Sequence, residues 1–325
     1  MHVAKLFVGL FLFLIAIPAQ AAGIRFIGIP ADAAGPAMRG VIWYPCSAPP
    51  TEFALGGWTL RGAKDCPISG DKLPLVVISH GNGGSMLAHH DTAETLADAG
   101  FIVAAIDHPG DSVSDLSRVA DLSVYIERPT DIKRLIDFML GRSPTAARID
   151  AERIGFFGFS AGGYSGLVLL GANPDWATNL CQGSAAASVC ANILRKEFQA
   201  RPLERDRRIK AAVIADPACC FFIDGSLAAV TAPVQLWASE RGGKGLPTTN
   251  PRINPDSVAV IDKGLEGKHE YHVVPNAGHF AFLPPCPPEL AKAFSEGCTD
   301  PPGFDRAGFH GKLNTDVLSF FKRAL

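Results

Sequence analysis

Ser160 stands in Gly158-Phe159-Ser160-Ala161-Gly162, a glycine–X–serine–X–glycine pentapeptide. A serine hydroxyl is a weak nucleophile until an imidazole takes its proton and a carboxylate orients that imidazole. Both groups occur downstream. His269, His272, His279 and His310 follow Ser160, and His279 is the best placed. It ends the loop Pro275-Asn276-Ala277-Gly278-His279, just after the strand-like run 271–274, whereas His269 precedes that run, His272 lies inside it and His310 falls in a polar tail. Two carboxylates follow strand-like runs, Asp216 in Ala215-Asp216-Pro217 and Glu240 in Ser239-Glu240-Arg241. Asp216 sits among Ala, Cys and Phe, where a carboxylate needs a partner, while Arg241 can neutralise Glu240 locally. Asp216 is the expected acid and Glu240 the alternative.

Nucleophilic attack on an acyl carbon creates an oxyanion, which backbone N–H donors stabilise. Ser79-His80-Gly81-Asn82-Gly83-Gly84 follows the first strongly apolar run, and its glycines let the backbone approach a substrate. The expected donors are the amides of Asn82 and of Ala161, the residue after the serine. No Gly-Lys-Ser/Thr follows, so a phosphate loop is not expected. His80 and His108 both follow strand-like runs and are read as structural. His89-His90-Asp91 lies at a helix start, where adjacent side chains diverge by about 100° and rarely share one ion. It is read as a solvated or half-buried helix start. No metal and no cofactor are expected.

These residues need a frame that presents strand ends to one edge. Apolar runs at 73–78, 101–107, 153–159, 209–214, 233–237 and 271–274 read as buried strands. Runs with helical character at 85–99, 130–140 and 161–170 alternate with them, and a last helix is expected at 314–321. Strands alternating with helices imply a mostly parallel central sheet with helices on both faces and a site at the strands' carboxyl ends. The pentapeptide between a strand and a helix is the nucleophile elbow of the α/β-hydrolase fold, whose triad runs serine, acid, histidine along the chain. Residues 22–72 read as a loop-rich lead-in with one strand at 39–44. Residues 172–207, with Pro174, Trp176 and two cysteines, read as an insertion after the nucleophile helix. The rest of 22–325 reads as a single catalytic domain.

The chain resembles the plasma-type platelet-activating factor acetylhydrolases and the bacterial proteins called predicted dienelactone hydrolases. The resemblance is carried by Ile78-Ser79-His80-Gly81-Asn82-Gly83, by Phe101-Ile102-Val103-Ala104-Ala105-Ile106-Asp107-His108, and by Asp216 ahead of Pro233-Val234 and Ser239-Glu240. It implies a serine hydrolase that cleaves short acyl esters without metal, with the acid on the earlier strand, as Asp216 is. The serine at 160 departs from true dienelactone hydrolases, which use cysteine. The residues are read as those of a serine hydrolase of small or lipid-like esters; against this stand a catalytically silent fold used for binding, and a hydrolase of peptides or polyesters.

Composition bounds the setting. The 325 residues carry a formal net charge of -2 and no basic stripe, so nucleic acid is not an expected partner. Lys5, the apolar run 6–17, Pro18 and Ala19-Gln20-Ala21 read as a cleavable signal peptide over 1–21, with export to the periplasm or beyond. The run is short for a bilayer span, so no stable membrane span is expected in the mature chain. The eight cysteines fit an oxidising compartment, with local pairings expected for Cys46 with Cys66, Cys181 with Cys190 and Cys286 with Cys298. Cys219 and Cys220 read as buried thiols.

Overall fold

A computed structural model describes residues 21–175, 203–218, 221–223, 225–242, 255–267 and 269–325. Residues 1–20 of the expected signal segment, most of the expected insertion, and Cys181, Cys190, Cys219 and Cys220 lie outside the described residues.

The strands are β1 (Ala21–Ile29), β2 (Met38–Cys46), β3 (Thr51–Leu55), β4 (Trp58–Lys64), β5 (Leu73–Ser79), β6 (Ile102–Ile106), β7 (Ile149–Phe159), β8 (Ile209–Ala215), β9 (Val234–Ser239) and β10 (His269–Val274). The described helices are α1 (His90–Asp98), α2 (Ser123–Gly141), α3 (Ala161–Leu169), α4 (Pro255–Gly264), α5 (Pro288–Ala293), α6 (Ser295–Cys298) and α7 (Arg306–Ala324). The sheet has ten strands in the order β10-β9-β8-β7-β5-β6-β2-β1-β4-β3. The run from β10 to β6 is parallel throughout, and β2 closes it antiparallel to β6.

Alternation along each parallel strand makes two cores. Leu75 and Val77 of β5 join one cluster with Ile132 and Leu135 of α2 and Leu167 of α3. Val76 and Ile78 join the other, with Leu96 of α1 and Leu313, Val317 and Phe321 of α7. Successive side chains of a strand point to opposite faces, so a strand covered on both sides reads as a continuous apolar run. This architecture is the α/β-hydrolase fold.

The lead-in differs from its sequence reading. Residues 22–72 hold most of four strands rather than one. Their glycines are packing residues: a Cβ on Gly23 would overlap the Tyr44 ring, and one on Gly40 would press on the Ala105 carbonyl. Glycine there marks close approach within a sheet, not a loop. Disulfides join Cys46 to Cys66 and Cys286 to Cys298. Helix α1 starts at His90 rather than at 85, because 86–89 form turns. Helix α2 extends back to Ser123 with Pro129 inside it, since Tyr125 and Arg128 are buried and hold that turn. Helix α7 covers Arg306–Ala324, so His310 belongs to a buried helix face rather than to a polar tail. Helix α4 had no counterpart in the sequence reading.

Candidate active site

Strand β7 ends at Phe159 and α3 begins at Ala161, which leaves Ser160 on the turn between them with φ 54° and ψ -117°. A non-glycine residue in this region is strained and persists only where its surroundings impose it. The flanking glycines show why the turn has room for nothing larger. A Cβ on Gly158 would overlap the Gly162 carbonyl, and one on Gly162 would overlap the Ser79 carbonyl of β5. The Ser160 side chain makes no capping bond to α3, so its hydroxyl is left for other partners.

That partner is His279. Its Nε2 lies 3.0 Å from Ser160 Oγ, and its Nδ1 lies 2.7 Å from Asp216 Oδ2. The matching tautomer has Nδ1–H donating to the carboxylate and Nε2 accepting the serine proton. His279 opens a 3-10 turn, His279–Phe282, its amide donates to the Gly242 carbonyl, and its ring stacks on Phe159 at 4.7 Å between centroids. Asp216 follows β8 and is buried with φ 41°. Its carboxylate also accepts from the amide and the hydroxyl of Ser239, at 2.8 and 2.7 Å, so its charge is met by three donors. Ser239, at the end of β9, takes up the strand end where the alternative acid was sought. Glu240 is exposed and instead accepts from the Asn276 amide at 2.7 Å, steadying the turn before His279.

The 3-10 turn is held from behind. His310 of α7 reaches the Ala281 carbonyl through Nε2 and Asp91 of α1 through Nδ1, and Asn314 donates to the same Asp91 oxygen. Thus the His89-His90-Asp91 segment is a half-buried helix start rather than a solvated one. His89 and His90 are both buried, and burial pulls His89 down to about 3.

The loop after β5 is built around an arginine that the sequence reading missed. Arg128 of α2 is 1% exposed. It donates to the carbonyls of His80 and Gly81 at 2.6 and 3.1 Å and to the Asp111 carboxylate at 2.8 Å. Asp111 in turn accepts from the Gly83 amide and from Asn82 Nδ2, each at 2.7 Å. With the carbonyls turned toward Arg128 and the Asn82 side chain tied down, the backbone of this loop is fixed where it passes Ser160. Gly81 is close enough that a Cβ there would lie 3.3 Å from Ser160 Cβ. The Ala161 amide opens the N-terminus of α3, where helix dipole and free N–H groups favour negative charge.

His80 and His108 fill structural places behind this loop. His80 donates through Nδ1 to the Gly81 carbonyl and accepts the His108 amide at Nε2. His108 bridges Ser79 Oγ at 2.9 Å and Asp131 at 3.0 Å. Burial first, and then the Arg128 charge, hold both rings well below the usual imidazole range. Burial pushes Asp131 up to about 7 against the pull of Arg134 and Arg128.

Comparison with known proteins agrees with the fold. Residues 70–221 match the family described as Serine aminopeptidase, S33. The chain is 28% identical over 149 residues to a protein of Nocardia uniformis subsp. tsuyamanensis named as an esterase, NocK, covering 45% of this chain and 40% of that protein. It is 32% identical over 165 residues to a monoacylglycerol lipase of Mycolicibacterium smegmatis, covering 45% of this chain and 56% of that protein. The matches therefore span about half the length of these relatives. A ferulic acid esterase from Streptomyces cinnamoneus superposes with a TM-score of 0.63 at 22% identity, covering 96% of this chain and 91% of that one.

Proposed function

We propose that the protein is a carboxylic ester hydrolase acting through an acyl-enzyme on Ser160. The observation that carries this reading is the buried chain of contacts from Ser160 Oγ through His279 to Asp216 at 3.0 and 2.7 Å. In this reading His279 Nε2 removes the serine proton as Oγ attacks the ester carbonyl. The amides of Asn82 and Ala161 receive the developing oxyanion. His279 then returns the proton to the departing alcohol, and a water repeats the sequence to release the acid.

Among the described residues, the carboxylates beside the loop favour esters over peptide N-termini. An aminopeptidase needs a carboxylate to receive the substrate's ammonium group. Asp107 and Asp111, beside the oxyanion loop, are committed to Arg39 and Arg128. Relatives named as an esterase and a monoacylglycerol lipase support the same class. The resemblance to platelet-activating factor acetylhydrolases supports a short-chain acyl or lipid-like ester. The disulfides support export to an oxidising compartment. Among the described residues no helix is long and apolar enough to cross a membrane.

The test is a panel of p-nitrophenyl esters from acetate to octanoate beside amino-acid p-nitroanilides. Turnover of esters that Ser160→Ala lowers on the order of 10⁴-fold is the expected result. Turnover of anilides in preference to esters would reassign the enzyme to the peptidases, and full activity in Ser160→Ala would remove the nucleophile.

A further inference from the structure

The loop 109–122 between β6 and α2 is cross-braced and yet displays aliphatic side chains to solvent. The Arg118 guanidinium donates to the Pro109 carbonyl and to Glu127. The Gly110 amide donates to Asp115, and the Arg118 amide donates back to the Gly110 carbonyl. Two further bonds tie the loop to the oxyanion loop: the Val113 amide to the Gly84 carbonyl at 2.8 Å, and Asn82 Nδ2 to the Val119 carbonyl at 2.8 Å. On this braced frame Val113 is 66% exposed and Leu116 53% exposed. Leu116 also lies against the oxyanion loop, since a Cβ on Gly83 would stand 3.4 Å from its Cδ2. A rigid loop that keeps two aliphatic groups out of the core, one residue from an oxyanion donor, calls for an apolar occupant during turnover.

The order of strand ends says which part of an ester that occupant is. Asp216, Ser160, Asn82 and the loop 109–122 follow β8, β7, β5 and β6, which are successive neighbours in the sheet. His279 reaches Ser160 from the β8 side through Asp216. In the tetrahedral intermediate the carbonyl carbon carries Ser160 Oγ, the oxyanion, the leaving alcohol and the acyl chain. The new bond is C–Oγ and the bond that breaks is the one to the alcohol oxygen. The proton passes from Ser160 through His279 Nε2 to that oxygen. The alcohol must therefore lie on the His279 side, near Phe280, whose ring is 5.3 Å from that of His279, and Phe294, which packs on Phe280. With the oxyanion at Asn82 and Ala161, the acyl chain is left pointing away from His279, toward β6.

We propose that Val113 and Leu116 receive the apolar acyl chain of the substrate and set its preferred length, while the alcohol departs past His279 and Phe280. The assignment rests on Ser160 being the nucleophile of an ester hydrolase. It is tested by measuring two ratios of kcat/KM. The acyl ratio compares p-nitrophenyl octanoate with p-nitrophenyl acetate. The alcohol ratio compares octyl acetate with methyl acetate, followed by proton release. The double variant Val113→Ser, Leu116→Ser should lower the acyl ratio by roughly tenfold or more, as loss of an apolar pocket contact does, and leave the alcohol ratio in place. Val273→Ser, which removes a 49% exposed aliphatic from edge strand β10, should move neither ratio. An acyl ratio unchanged within about twofold, a shift in the alcohol ratio instead, or a wild-type enzyme that takes acetate and refuses octanoate would each overturn the assignment. Labelling of Ser160 by a fluorophosphonate separates the two levels. A labelled, ester-cleaving protein with an unmoved acyl ratio overturns only the roles of Val113 and Leu116, whereas an unlabelled protein inert to every ester overturns the nucleophile as well.

Discussion

Asp216 and Glu240 both follow strands and both approach the turn that carries His279, yet they do different work. Asp216 is buried with an imidazole N–H and both donors of Ser239 on its oxygens. Glu240 is solvent-exposed and holds a backbone amide. Asp216→Asn should lower kcat on the order of 10⁴-fold, because an amide NH₂ facing Nδ1 favours the wrong tautomer. Glu240→Gln keeps an oxygen for the Asn276 amide and should cost less than about tenfold. Steady-state kinetics on p-nitrophenyl acetate decide the ranking, and the reverse order would move the acid to the end of β9. At this scale the sequence marked out the residues that the fold brings together. Ser160 stands out because its glycines are required by overlap with Gly162 and Ser79; His279 was picked by its place after a strand and Asp216 by its apolar setting, and the fold brings the three side chains together. Ser239 was not legible, because a serine after a strand has no signature until its neighbours are in space.

Among the elements, α2 does more than cover the sheet. It carries Arg128 under the loop that follows β5 and so turns two carbonyls away from the site. Nothing local marks this arginine, which stands in a helix rich in charged residues and contacts positions 47 and 48 residues earlier. Arg128→Met should leave KM for p-nitrophenyl acetate nearly unchanged and reduce kcat on the order of 10²-fold, the effect of a misplaced oxyanion donor. Arg128→Lys should not rescue it, since a single ammonium cannot serve His80, Gly81 and Asp111 from one planar fork. A fall of less than about threefold in a folded Arg128→Met protein would show that the loop holds its shape without the arginine. The parallel strands were legible because both faces are covered and the apolar runs are continuous. Strands β1, β3 and β4 were not. Their Gly, Ala and polar residues suit close packing and one-sided exposure, which in sequence look like loop.

For the whole molecule, the buried histidines set the response to acid. His80, His89 and His108 are held below their usual range, chiefly by burial. An unfolded chain protonates all three near pH 6.5, so below that pH the unfolded state binds more protons and stability falls as pH falls. Asp131 acts in the opposite sense. Raised to about 7, it holds a proton in the native state that the unfolded state lacks above about pH 4, and its contribution is lost as pH rises through 7. Below about pH 6 the three imidazoles outweigh this single carboxyl. Urea unfolding between pH 6 and pH 4.5 should therefore show stability falling as pH falls. His89→Leu, with His89 titrating at about 3 in the wild type, should reduce that slope by about 1.4 kcal/mol per unit. A slope unchanged by His89→Leu would mean that the ring is not kept neutral in the native state.

The account turns on Ser160 being activated by His279, and one measurement addresses this directly. The protein is treated at pH 7.5 with a fluorophosphonate probe, digested and mapped by mass spectrometry beside the Ser160→Ala and His279→Ala variants. The predicted result is one adduct, on the peptide containing Ser160, absent from Ser160→Ala and formed at least about 10²-fold more slowly in His279→Ala. An adduct on another residue, or labelling of Ser160 at the same rate without His279, would contradict it.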